Sequence, residues 1–160
     1  MLRGPAGLQD PIQHCKDALR AAGVRVTHQR LEIYREVLGS RAHPDAETVF
    51  RGVRRRLPTV SLDTVYRTLW LLTDLGLITT LGLPRERFRF DGNMRPHHHF
   101  ACTRCGLTGD FHSEELDRLA VAEAVSEFGM ADRTQVEVRG LCRKCLADDE
   151  RTRRQTTRAS

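Results

Sequence analysis

The stretch "SLDTVYRTLWLLTDLG" (residues 61–76) decides the fold. Ser61 stands where a helix cap belongs, and Leu62, Val65, Leu69 and Leu72 recur at the 3.6-residue period of one buried stripe. Asp63, Thr64, Tyr66, Arg67 and Trp70 fall off that stripe and are left to face something other than the core. Upstream, a first helix is expected from Asp10 as cap and Pro11 to Gly23. A second runs from the cap Thr27 to Gly39, with Leu31, Tyr34, Val37 and Leu38 on one side. "HPDAETVFRGVRRRL" makes a third, opening at Pro44 with His43 as its cap, turning Ala46, Val49, Phe50 and Val53 inward and closing at Pro58. Downstream come two short strands, "LITTLGL" and "RFRF", joined by a turn at "PRE" that carries Arg85 and Glu86. Helices followed by a basic hairpin predict a winged helix-turn-helix whose fourth helix is the reader.

Charge divides the chain in the same place. Residues 1–90 hold 15 Lys/Arg against 9 Asp/Glu, while residues 91–150 hold 7 against 12. The first part has the electrostatic footprint of a nucleic-acid partner and the second does not. Past Asp91, "GNMRP" reads as a hinge. A strand at "HHHFAC", a cysteine knuckle, a strand near "GDF", a helix from Ser113 to about Phe128 and a strand at "TQVEVRGL" follow. The fold class is α+β: a winged-helix domain over 1–90, a hinge at 91–96, a small α/β domain over 97–147, and a disordered tail from 148 to 160. No run of apolar residues reaches membrane-spanning length and no signal segment follows Met1, so a soluble cytoplasmic protein is expected.

Two Cys-x-x-Cys pairs, Cys102 with Cys105 and Cys142 with Cys145, offer four thiolates. In a chain without an export signal these read as metal ligands rather than disulfides, and four sulfurs with no open position suit a structural zinc ion. Cys15 has no partner at ligand spacing and reads as a small apolar residue of the first helix; His14 and His28 read as surface or capping residues.

Between the two halves lies a second donor set. His97 and His99, two apart in a strand-like segment, point their rings to one face, and His98 points to the other. Asp91 precedes them, Asp110 follows the first knuckle, and His43 lies in the first half. Two or three imidazoles with two carboxylates form a mixed nitrogen and oxygen set suited to Fe(II), Mn(II) or Zn(II). A metallohydrolase built on His97, His99 and an aspartate is a different-class reading, opposed by the want of a general base or a third histidine on a scaffold helix. A plain zinc-ribbon interaction module is a third.

In order and approximate spacing, "GVRVTHQR", "HPDAETVF", "TVYRTLWLLTDLGLI", "HHHFACTRCG", "DF" and "GLCRKC" resemble the ferric uptake regulator (Fur) family over nearly all of residues 15–147. The resemblance implies a metal-dependent, dimeric DNA-binding repressor with an N-terminal winged helix and a C-terminal dimerisation domain. Its partners would be a double-stranded DNA operator and a second copy, with no membrane and no small-molecule substrate other than peroxide. The pattern is most similar to the peroxide-sensing PerR branch, which places the regulatory ligands on His43, Asp91, His97, His99 and Asp110, with iron-sensing members usually carrying Glu where Asp91 stands. "RFRFD" contains two Arg-Phe pairs, and the ungapped count to His97 selects the second, putting Asp91 rather than Arg89 at the carboxylate position.

The same resemblance implies a structural Zn(II) on the four cysteines and a regulatory Fe(II) or Mn(II). It implies iron-dependent oxidation of His97 or His43 by peroxide, and DNA contacts from Arg25, Ser61, Thr64, Tyr66 and Arg67. His98 and His112 are candidates for a secondary metal site. Sensing of iron, zinc or manganese without peroxide chemistry is the alternative within the family.

Overall fold

Each of the first four helices begins at a side chain that accepts one of its free amide protons. In the computed structural model, which describes residues 10–40, 42–81, 88–121, 123–131 and 134–158, these are α1 (Pro11–Ala21), α2 (His28–Leu38), α3 (Ala46–Arg54) and α4 (Leu62–Asp74). Asp10 accepts from Ile12, Thr27 from Arg30, Asp45 from Thr48 and Ser61 from Thr64, at 2.8–3.3 Å; such caps stabilise a helix by about 1 kcal/mol each. The cap of α3 is therefore Asp45 and not His43, and the helix opens at Ala46, two residues later than Pro44. His43 is instead held at φ +47°, a left-handed conformation rare for a residue with a Cβ.

Two compact units divide between Met94 and Arg95. The first has a winged helix-turn-helix architecture: its four helices enclose one apolar core, and β1 (Thr79–Leu81) pairs antiparallel with β2 (Arg89–Asp91). Val65, Leu69 and Leu72 of α4 are fully buried, joined by Thr68, while Leu62 and Leu38 are only half-buried. Cys15 is fully buried in this core, where burial pushes its thiol up. The strands are shorter than expected, and the turn with Arg85 and Glu86 lies outside the described residues. Asp91 ends β2 and belongs to this unit rather than to a hinge.

A polar network spans α2 and the end of α3. Glu32, buried in α2, pairs with Arg35 and accepts from Arg56 at 2.8 Å, and Arg56 also reaches Glu36 at 2.7 Å. The Arg56 hydrogen bond, aided by Arg35 and opposed by burial, holds the Glu32 carboxyl below the ordinary glutamate range. A depressed folded value means the stabilisation is complete above the unfolded value, about 4.3, and is lost as pH falls through the folded one. Glu32→Gln is thus expected to lower the melting temperature at pH 7 and to flatten its decline on acidification. Melting curves that stay parallel to wild type from pH 7 to pH 3 would contradict this.

The second unit is a three-stranded sheet in the order β4 (Thr108–Phe111), β3 (His98–Cys102), β5 (Glu137–Gly140). β3 pairs antiparallel with β4 and parallel with β5. The expected helix from Ser113 to Phe128 is only α5 (Glu114–Asp117), followed by a 3₁₀ turn at Glu123–Glu127. No core faces this stretch inside the unit: Leu119, Val121, Val125 and Phe128 are exposed, so a longer amphipathic helix has nothing to pack on. The tail also departs from expectation, since α6 (Arg143–Arg158) continues through 148, with Asp148 and Arg151 3.6 Å apart along it. Among the described residues no helix is long and apolar enough to cross a membrane.

Candidate metal centres

The parallel pairing of β3 and β5 unites the two cysteine knuckles. Cys102 lies opposite Gly140 in the ladder, so both strands run into their knuckles at the same end of the sheet. The four Sγ atoms fall within 4.8 Å of one another, and three of the four cysteines are buried. Cys105 and Cys142 Sγ are 3.7 Å apart. A disulfide would need about 2.05 Å, whereas four sulfurs about 2.3 Å from one tetrahedral zinc stand about 3.8 Å from each other. The donor set thus fits zinc and not a cystine pair.

Local backbone shapes the first knuckle. Gly106, at φ +70°, takes a left-handed turn after Cys105, and the Gly106 amide donates to the Cys102 carbonyl at 3.0 Å. Amide donors from Cys105 and Cys142 draw the Cys102 thiol down to about 6, while burial and the neighbouring sulfurs push Cys145 up to about 12. Four thiolates therefore need a cation beside them, and binding one releases protons. Arg104 ties the knuckles together by donating to the Cys145 carbonyl at 2.9 Å and pairing with Asp149.

In the first unit, His43 Nε2 stands 3.6 Å from Asp91 Oδ1, both residues being buried. The neighbourhood follows from β2: Asp45 bridges to Arg89, and the Phe90 amide donates to the Pro44 carbonyl at 3.0 Å, so residues 43–45 lie along the strand. Asp91 Oδ1 also accepts from the Asn93 amide at 2.8 Å. The question of register is settled by the same strand: Arg89 turns to the carbonyls of Ala42 and His43, and Asp91 faces the His43 ring.

In the second unit, His97 and His99 share a face of β3 and their Nε2 atoms are 2.9 Å apart. Two nitrogens each about 2.1 Å from one ion at a right angle would be about 3.0 Å apart. Asp110, across the ladder from His99, places Oδ1 3.5 Å from His99 Nε2 and 3.8 Å from His97 Nε2. His97 Nδ1 meets the Arg95 carbonyl at 2.7 Å, which leaves Nε2 directed at the other donors. His98 faces the opposite side, with Nε2 3.1 Å from Asp117 and Nδ1 accepting from the Val136 amide. His112 is exposed, its ring 6.4 Å from that of His97.

The expected DNA contacts all lie in the first unit. The hydroxyls of Ser61 and Thr64 are 2.8 Å apart, Tyr66 is exposed, and Arg67 is exposed and paired with Asp63 at 3.0 Å. Arg25 is exposed beside Arg30. Trp70, set aside in the sequence as merely off the stripe, has its ring edge-on to Phe88 and Phe90 at 5.2 and 6.0 Å. Its position four residues after Tyr66, on the same side of α4, was the available signal.

The sequence profile of the ferric uptake regulator family matches residues 21–137. The peroxide-responsive repressor PerR of Staphylococcus epidermidis is 34% identical over 129 residues, covering 80% of this chain and 85% of that protein. Among solved structures, the Vibrio cholerae ferric uptake regulator superposes with a TM-score of 0.63 at 26% identity, over 80% of this chain and 99% of that one. The Helicobacter pylori ferric uptake regulator, described as having three functional metal binding sites, gives a TM-score of 0.73 over 91% of this chain and 97% of that one. At 20% identity that match speaks for the fold alone.

Proposed function

Because the chain belongs to the ferric uptake regulator family of metal-responsive repressors, we propose that it is a dimeric DNA-binding repressor of the PerR kind, released from its operator by hydrogen peroxide. His43, Asp91, His97, His99 and Asp110 serve as ligands of one exchangeable Fe(II) or Mn(II), while the four cysteines hold a permanent zinc. The observation that carries the reading is Asp91. A short carboxylate stands 3.6 Å from His43 at the end of β2, where a glutamate would extend one methylene further. The likeness to a peroxide-responsive repressor supports the same choice.

Each residue then has a task. Asp91 and Asp110 supply the negative charge that a divalent cation needs, and His97, His99 and His43 supply neutral nitrogens. Iron, when bound, supplies the one-electron chemistry that turns peroxide into an oxidant. The His97 and His43 rings, being ligands, are the carbon targets within reach, and a ring that has gained oxygen is a poorer donor. Loss of a ligand frees the ion and with it the arrangement of reading heads that DNA accepts. The histidine is consumed, so the protein acts once as a sensor and not repeatedly as an enzyme.

On DNA, Tyr66 and Arg67 read bases while Ser61, Thr64 and Arg25 position the helix. Arg can make a bidentate contact to guanine, and Tyr can pack on a thymine methyl. Self-association is supported by the apolar residues that the second unit leaves exposed, among them Leu119, Val121, Phe128 and Met130.

Selection from a random duplex pool with Mn(II) present is expected to retrieve a two-fold-symmetric sequence that binds at least about tenfold more weakly in Mn(II)-free buffer. Retrieval of no sequence, or equal affinity with and without Mn(II), would contradict the proposal.

A further inference from the structure

A cavity of about 140 Å³ opens in the first unit between Asp45, Ala46 and Glu47 on one side and Tyr66, Trp70, Phe88 and Phe90 on the other. Its size is well below the roughly 300–1,000 Å³ of sites that enclose a whole small molecule, so it suits a head group. Four of its seven lining residues are aromatic. The Trp70 ring meets the Phe88 and Phe90 rings at 79° and 77°, so the walls turn a corner rather than lie as one flat stack. No basic residue lines it among the described residues.

Two electrostatic effects compete at this place, and their magnitudes decide between them. The start of α3 contributes roughly +0.5 of a charge. Asp45 and Glu47 contribute two negative charges, and one oxygen of Asp45 already accepts from the Thr48 amide at 2.8 Å. The sum is negative, which disfavours an anion. Aromatic faces meeting at a corner beside carboxylates attract a cation whose hydration is weak enough to be shed, and alkylated ammonium groups have that property.

We propose that this cavity binds a small quaternary ammonium compound, its head group against Tyr66, Trp70, Phe88 and Phe90 and its charge balanced by Asp45 and Glu47. The site uses no residue of either metal centre, and the proposal stands or falls apart from the repressor reading.

Trp70 is the single tryptophan of the chain, so intrinsic fluorescence reports on this cavity alone. Choline titrated at constant ionic strength is expected to change Trp70 emission saturably, whereas its neutral carbon isostere, dimethylbutanol, leaves it unchanged. Phe88→Leu and Glu47→Gln should each weaken choline binding about threefold or more. Phe88 is 39% exposed, so its replacement spares the core, and an unchanged melting temperature verifies this. No saturable change with choline, an equal response to the neutral isostere, or unaltered binding by both variants would overturn the proposal.

Discussion

Cys142→Ser is expected to cost the second unit its fold. Among the described residues, the buried cluster around the knuckles consists of Cys102, Cys142 and Cys145, with Phe100 and Leu141 packed partly against it. So little buried apolar surface cannot offset the entropy of ordering that stretch of chain. Structural zinc contributes about 10–16 kcal/mol of apparent binding energy at pH 7, of the same order as or larger than the total stability of a typical domain. Metal analysis should therefore fall from about one tight zinc per chain to near none, with loss of strand signal by circular dichroism and loss of the dimer on gel filtration. The first unit has its own core of sixteen buried residues and should keep a cooperative helical melt. Cys15→Ser, in that core, should leave the zinc content untouched. A Cys142→Ser protein that retains zinc and a native-like second unit would contradict the assignment.

The second large effect is expected at His97. Its side chain is fully buried, with Nδ1 at the Arg95 carbonyl and Nε2 toward His99 and Asp110. His97→Ala removes a ligand and leaves His99 and Asp110 to share the charge of the ion alone. Loss of a ligand's outer partner commonly costs 10–100-fold in metal affinity, so loss of the ligand itself should weaken Mn(II) binding by about 100-fold or more. The zinc content should be unchanged because the cysteines lie at the other end of β3. Calorimetric titration of the zinc-loaded protein with Mn(II) distinguishes the two sites. Retained Mn(II) affinity would place the exchangeable ion elsewhere.

How much of this was legible beforehand depended on whether a feature is local. The caps Asp10, Thr27 and Ser61, the α4 stripe and the two knuckles are short-range patterns, and all are present in the fold. The α3 cap was misplaced because His43 and Asp45 both precede the helix, and only backbone geometry tells a left-handed residue from a cap. The helix expected from Ser113 to Phe128 failed for want of a partner. Its apolar spacing is helical, but spacing cannot say whether a surface exists to receive it. The tail was read as disordered from its polarity, although charges three and four apart on a helix support one another, as Asp148 and Arg151 do.

The metal donors were read as types and the knuckles as a pair. What the sequence could not supply was the ladder register that sets Asp110 opposite His99, or the strand that lays residues 43–45 beside Asp91. The corner of Trp70, Phe88 and Phe90 escaped notice for the same reason, since it joins α4 to the end of the wing hairpin across a long separation.

The most direct test of the account loads the zinc-containing protein with Fe(II), adds hydrogen peroxide and maps oxidation by mass spectrometry of its peptides. The account predicts one added oxygen on the peptide containing His97 or the one containing His43, absent when Mn(II) replaces iron, and loss of DNA binding in step with it. Histidines that stay unmodified while peroxide still releases DNA, or while DNA binding ignores peroxide altogether, would contradict it.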